Sequence, residues 1–134
     1  MGFKDISQIA GSAMAAQTVR LNTIASNLAN ANAVAGSEAE GYRARKPVFA
    51  AVMGESGGAS VQVLDVVQSS EPLRKMYEPD NPVADADGMV YYANVNEVAE
   101  MADMMSASRA FETNVEVMGR IKNMQQSLLK MGEG

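Results

Sequence analysis

Apolar residues recur with helical spacing at the two ends of the chain, residues 3–31 and 95–131, and lose that spacing in between. Near the N-terminus an alternating step of four and three picks out Phe3, Ser7, Ala10, Met14, Gln17, Leu21, Ile24, Leu28 and Ala31. That rhythm predicts a helix with one seam rather than a helix buried on all sides. At ~1.5 Å per residue it would reach ~43 Å, longer than a compact domain of this size is wide. Ala13, Ala16, Ala25 and Ala29 widen the seam with small side chains, so another helix can come close. Near the C-terminus Val98, Met101, Ala102, Met105, Ser108, Phe111, Val115, Met118, Ile121 and Leu128 recur at similar spacing, enough for ~55 Å of helix. Two terminal helices that bury their stripes only against each other leave much of their length to neighbouring molecules. That pattern suits an assembling subunit better than an enzyme.

Composition narrows the choice further. The chain is 47% apolar and 20% charged, with four Tyr, three Phe, no Trp and eleven Met. A core built from Ala, Val, Leu and Met is light, and Met suits contacts that must repack. With no Cys and no His, thiolate nucleophiles, disulfides, the commonest metal ligand and the usual general base near neutral pH are all excluded. A formal charge of −5 argues against a nucleic-acid partner, and Arg43, Arg45 and Lys46 form only a short basic cluster that solvates a strand. No run of ~20 apolar residues is present, so no direct membrane insertion is expected. Polar breaks at Ser7, Gln8 and Ser12 deny the N-terminus the apolar stretch of a cleaved secretory signal. Met1-Gly2 runs straight into the helix pattern and is not read as a lipidation site.

The first helical pattern ends in SNLANANAVAG, where Asn and Gly suit a left-handed exit. Asn27, Asn30 and Asn32 carry two readings, helix termination alone or amide hydrogen bonds across a helix interface. Between residues 37 and 93 the period changes, and residues 42–53, 59–68, 73–77 and 89–92 read as short strands separated by the turns GESGG, SSEP, PDNP and DADG. Pro47 demotes the start of the first run to an edge or bulge. The second helix starts at Asn94 or Asn96 as cap, with Glu97 and Glu100 in its first turn where carboxylates favour the positive helix end. The fold class is therefore α+β. Long N- and C-terminal helices form an antiparallel coiled-coil-like inner domain (residues 1–36 and 94–134), and a small antiparallel β domain (37–93) is inserted between them.

No segment carries convincing reaction chemistry. Asp85-Ala-Asp87-Gly88 resembles the start of a calcium loop, but the twelfth position is Asn96 instead of Glu and the intervening MVYYANV is strand-like. Neither Asp85 and Asp87 nor Glu97 and Glu100 lie in an apolar setting that would raise one pKa for acid catalysis. Gly57-Gly58 and Gly36 to Gly41 lack the strand, spacing and Lys of a phosphate loop. Neither catalytic residues nor a metal or cofactor site is expected.

SNLANANAV followed by GYRARKPVF, and the long run YEPDNPVADADGMVYYANVNEVAEMADMMSASRAFETNVEVM, resemble the signature of the flagellar rod and hook protein superfamily. The likeness extends essentially end to end, and the short middle region is that of a proximal rod protein. The resemblance implies a structural subunit of the basal-body rod that polymerises through its terminal helices into a hollow helical drive shaft. Its partners would be further copies of itself, other rod proteins, the rod-to-membrane-ring adaptor and, in transit, the type III export gate. Export would occur without signal cleavage, from the cytoplasm to the periplasm. The assembly interface expected on this basis comprises Ala10, Met14, Leu21, Ile24, Asn27, Leu28 and Asn30 with Met105, Ser108, Phe111, Val115, Met118 and Ile121. Phe49 and Met53, four apart, match the Phe-x-x-x-apolar element that such export gates are thought to read, although ordinary packing in a strand is the default and alone explains them. The alternatives are another type III-exported axial or coiled-coil assembly protein and, further off, a calcium-binding module resting on Asp85 and Asp87.

Overall fold

Residues 2–55 and 57–133 are described by the structure, a computed structural model. Helix α1 (Phe3–Ala29) opens with the Gly2 N–H donating to the Asp5 carboxylate at 3.1 Å, an acid placed where the helix dipole favours it. It closes at Asn30, whose φ of −105° and ψ of 8° are not left-handed. No described residue other than glycine has positive φ, so the exit differs from the left-handed one that the asparagines suggest. Tight turns replace it: both the backbone N–H and the side-chain Nδ2 of Asn30 donate to the Ser26 carbonyl, and the Ala33 N–H donates to Asn30. With the Ala31 N–H donating to Leu28, the carbonyls of Ser26, Leu28 and Asn30 find donors without a glycine.

Five strands follow: β1 (Val34–Ala35), β2 (Arg45–Met53), β3 (Ala59–Gln68), β4 (Arg74–Tyr77) and β5 (Met89–Tyr92). They form two sheets rather than one. Strands β1, β5 and β4 pair antiparallel in that order, and β2 and β3 make a separate hairpin. Pro47 lies in an edge strand as expected, since β2 pairs with β3 alone, and the register slips between Val48 and Phe49. Leu64 of β3 is the extra residue at that bulge, because Val48 faces Asp65 and Phe49 faces Val63.

The hairpin does not stand apart from the helices. Its half-buried residues, among them Phe49, Val52, Val61 and Val63, are covered by α1, the one helix that contacts it. The Val61 N–H donates to Ser12 Oγ at 2.9 Å, tying β3 to the first half of α1. A two-stranded ribbon has too little apolar area to stand alone, and α1 supplies the missing layer.

Helix α2 (Glu97–Glu133) begins where Asn96 Oδ1 accepts the Ala99 N–H at 3.1 Å, so Asn96 is the cap. Among the elements α2 contacts only α1. The Arg20–Asp103 ion pair and the cleft that Phe3 shares with Gln125, Leu128 and Leu129 set the two helices antiparallel. Where they meet the sheet, Ala31, Ala93 and Val95 form a small core against Tyr42 and Ala44. Arg74 binds that junction together by donating to the carbonyls of Ala93 and Ala31 at 3.3 and 3.4 Å. Gly88, with φ of +76°, makes the tight turn into β5.

Candidate assembly surface

The α1 seam falls where its spacing places it. Ala10, Ile24 and Asn27 are buried, and Met14, Leu21, Leu28 and Asn30 are half-buried. On α2 the contact face is turned by about one residue, ~100°, from the stripe marked by its largest apolar side chains. Asp103, Met104, Ala107, Ala110, Phe111, Asn114, Met118 and Ile121 are buried or half-buried, whereas Val98, Met101, Met105 and Val115 are exposed. Ala107, at 0% exposure, explains the turn: a methyl group lets α1 approach where a Met would hold it off. Ser108 is half-buried beside it.

The thirteen interface candidates therefore divide. Ala10, Ile24, Asn27 and Ile121 lie in the chain's own interior. Met14, Leu21, Leu28, Asn30, Ser108, Phe111 and Met118 line the edges of the helix pair, and Met105 and Val115 face outward. Beyond Ile121 every described residue of α2 is exposed, because of α1 only Phe3, at its start, reaches that end, in the cleft with Gln125, Leu128 and Leu129. Met124, Leu128, Leu129 and Met131 lie in that sparsely covered end.

Burial is small against what stays open. Among the described residues only ten apolar ones are buried, five of them Ala, while seventeen large apolar side chains are exposed. The exposed set runs along α2 and over the hairpin at Val48, Met53, Leu64, Val66 and Val67. Open apolar area on this scale marks a surface that meets partners. Phe49 is half-buried in β2, whereas Met53 at the end of that strand is 71% exposed.

Asn30 ends α1, as the termination reading has it, whereas Asn27 follows neither reading. Asn27, at 1% exposure, does not reach across to α2. Its Oδ1 accepts the Tyr42 hydroxyl at 2.8 Å and the Arg45 N–H at 2.9 Å, and its Nδ2 donates to the Arg45 carbonyl at 2.9 Å. Asn94 mirrors it, with Oδ1 accepting the Ala44 N–H and Nδ2 donating to Glu71. The two amides hold the start of β2 to both helices. Neither Tyr42 nor Asn94 stands out in the sequence as such a clamp, since an Asn near a helix end reads first as a cap.

The remaining polar groups are turned to structure. Arg43 donates to the Ser69 and Glu71 carbonyls and pairs with Glu38, so it anchors the segment after β3. Asp85 Oδ1 accepts the N–H groups of Asp87 and Met89 at 2.9 Å each, as a turn residue does. Among the described residues no group of three or more acids could hold a metal ion, and no helix is long and apolar enough to cross a membrane. Tyr92 donates to Glu78 Oε2 at 2.6 Å, and this bond, then burial, then the Glu78 charge, push its pKa up against the opposing pull of Arg74.

Known proteins match this architecture at both ends and throughout. The family described as "Flagella basal body rod protein" matches residues 8–36, and "Flagellar basal body rod FlgEFG protein C-terminal" matches residues 86–131. The chain is 46% identical to the flagellar basal-body rod protein FlgC of Salmonella typhimurium, over 99% of this chain and 100% of that one. It is 47% identical to FlgC of Escherichia coli over the same shares. With FlgC of Agrobacterium fabrum the identity is 33%, over 93% of this chain and 91% of the relative. Taken with two terminal helices and a short β segment that leave an open apolar face, these matches establish that the chain belongs to the FlgC family of flagellar basal-body rod proteins.

Proposed function

We propose that the chain polymerises through its terminal helices into the proximal part of the hollow flagellar drive shaft, where it carries motor torque. A structural place in the basal-body rod follows from its family. The observation that carries polymerisation is the apolar face left open along α2, at Val98, Met101, Met105, Val115, Met124, Leu128, Leu129 and Met131. Covering one such side chain completely stabilises by ~1.5–3 kcal/mol, so a neighbour lying on three of them gains on the order of 5 kcal/mol before ordering costs. A contact of this kind that repeats without closing builds a helical filament.

On this reading Met105 and Val115 touch neighbours directly, together with the seam-edge residues Met14, Leu21, Leu28, Asn30, Ser108, Phe111 and Met118. Ala10, Ile24, Asn27 and Ile121 act by holding the helix pair in shape. Residues 1–36 and 94–134 form the inner part of the shaft and 37–93 the outer part, with the β2–β3 hairpin laid along α1. The partners are further copies, other rod proteins and the adaptor to the membrane ring. The type III export gate reads Phe49 and Met53 on the way to the periplasm. The work is mechanical and needs no catalytic group.

Complementation tests the reading. A strain lacking this gene should lose swimming and external filaments, and the wild-type chain should restore both. A chain carrying Met105→Asp and Val115→Asp should fold as a monomer, be exported, and restore neither. Swimming at the wild-type level from that variant would sink the proposal.

A further inference from the structure

Helix α2 is polarised in charge along its length. Its first two turns carry Glu97, Glu100 and Asp103 with no base, and residues 120–133 carry Arg120, Lys122 and Lys130 against Glu133. Asp103 is paired with Arg20 and Arg120 with Glu116, while none of the ion pairs among the described residues uses Glu97, Glu100, Lys122 or Lys130. Each end also carries an open apolar row. Val98, Met101 and Met105 span eight residues at one end, Met124, Leu128 and Met131 span eight at the other, and all six are more than half exposed. A single chain cannot bring its own two ends together, because they lie at opposite ends of one helix of 37 residues, or ~55 Å.

We propose that the sparsely covered end of α2, residues 122–133, docks on the Val98–Met101–Met105 row of a second copy of this chain, with Lys122 and Lys130 facing the acids Glu97 and Glu100. Two apolar rows of equal length meet, and opposite charges select end against start over start against start. The contact is heterologous, so each copy keeps one row open for the next. The proposal rests on the rod-subunit reading and adds to it which part of which partner occupies the open face. Three apolar side chains and two charges on each side make a small contact against the ~1,200 Å² of a standing dimer. The pairing therefore forms between crowded or aligned subunits.

A chain with no cysteine makes the test direct. Chains carrying Met101→Cys are mixed with chains carrying Leu128→Cys under mild air oxidation with a copper–phenanthroline catalyst. The mixed disulfide should form several-fold faster than when Gln62→Cys, on the hairpin, replaces Leu128→Cys. Adding Glu97→Lys and Glu100→Lys to the first chain should lower the yield by up to about tenfold, the combined effect of two surface ion pairs. Adding Lys122→Glu and Lys130→Glu to the other chain should restore it. Circular dichroism of each variant checks that it remains folded.

A yield no higher than the Gln62→Cys control, or a loss that the reciprocal reversal does not repair, would overturn the pairing. That failure is distinct from failure of the rod reading. If the disulfide test fails while Met105→Asp with Val115→Asp still abolishes swimming, the open face meets a different rod protein and only the present inference falls.

Discussion

Asn27 holds Arg45 as a neighbouring strand would, donating from Nδ2 to the Arg45 carbonyl and accepting the Arg45 N–H at Oδ1, both at 2.9 Å. The side-chain amide substitutes for a peptide group at the point where the chain leaves the helical end and enters β2. Because the site is buried, replacing Asn27 strands the Arg45 N–H and carbonyl at once and leaves the Tyr42 hydroxyl only Ser26 Oγ. Asn27→Leu should cost ~2–4 kcal/mol in urea unfolding. Tyr42→Phe, which removes one hydroxyl from the same cluster, should cost ~0.5–1.5 kcal/mol. Equal losses for the two would argue against the clamp.

Ala107 sets how closely α1 and α2 approach, since it is fully buried and α2 contacts no other element. Ala107→Leu should destabilise by ~1–3 kcal/mol through overpacking. Ala102→Leu, on the exposed side of the same helix, should stay within ~0.5 kcal/mol of wild type. Thermal unfolding of the two variants side by side decides the point.

Tyr92 should ionise above the ordinary tyrosine value, read by tyrosinate absorbance during a rise in pH. Its folded pKa lies above the ordinary value of ~10, chiefly because its hydroxyl donates to Glu78. The stabilisation is thus present below the ordinary tyrosine pKa and disappears as pH climbs through the raised one. Glu78→Gln should bring the late transition down toward the ordinary value. A late transition that survives Glu78→Gln would place its cause elsewhere.

Met53 separates export from packing. Its exposure predicts that Met53→Asp leaves stability within ~0.5 kcal/mol of wild type. If the export gate reads Phe49 and Met53, the same variant should accumulate in the cytoplasm and fall in the secreted fraction of a rod-deficient strain. Normal secretion would return both residues to an ordinary strand.

Much of the architecture was legible in the periodicity. Strands β3 and β5 run over the residues marked by alternation and turn chemistry, and both long helices lie where the apolar spacing puts them. Strand β1 was not, since two residues carry no alternation. It forms because Ala93 donates to Ala33 and the β5 edge is open beside it. The single inserted β unit became two sheets for a reason that local pattern does not encode, namely which layer covers the hairpin. On α2 the apolar residues marked the helix correctly but its buried face imperfectly, because close approach selects Ala107 over Met105. The amide clamps were hidden because their partners are backbone groups far along the chain.

The fully buried residues of the two helices are Ala10, Ala16, Thr23, Ile24, Asn27, Ala107 and Ile121. Alanine has no side-chain torsion, Ile and Thr are stiff at χ1, and Asn27 is held by its three bonds. None of the described methionines is among them. A strained helix pair of this make cannot relax by swapping rotamers in its interior. Where subunits join through the methionine-bearing faces, as proposed, that is where compliance would lie, so a twisting load should yield at the joints before it yields within a subunit.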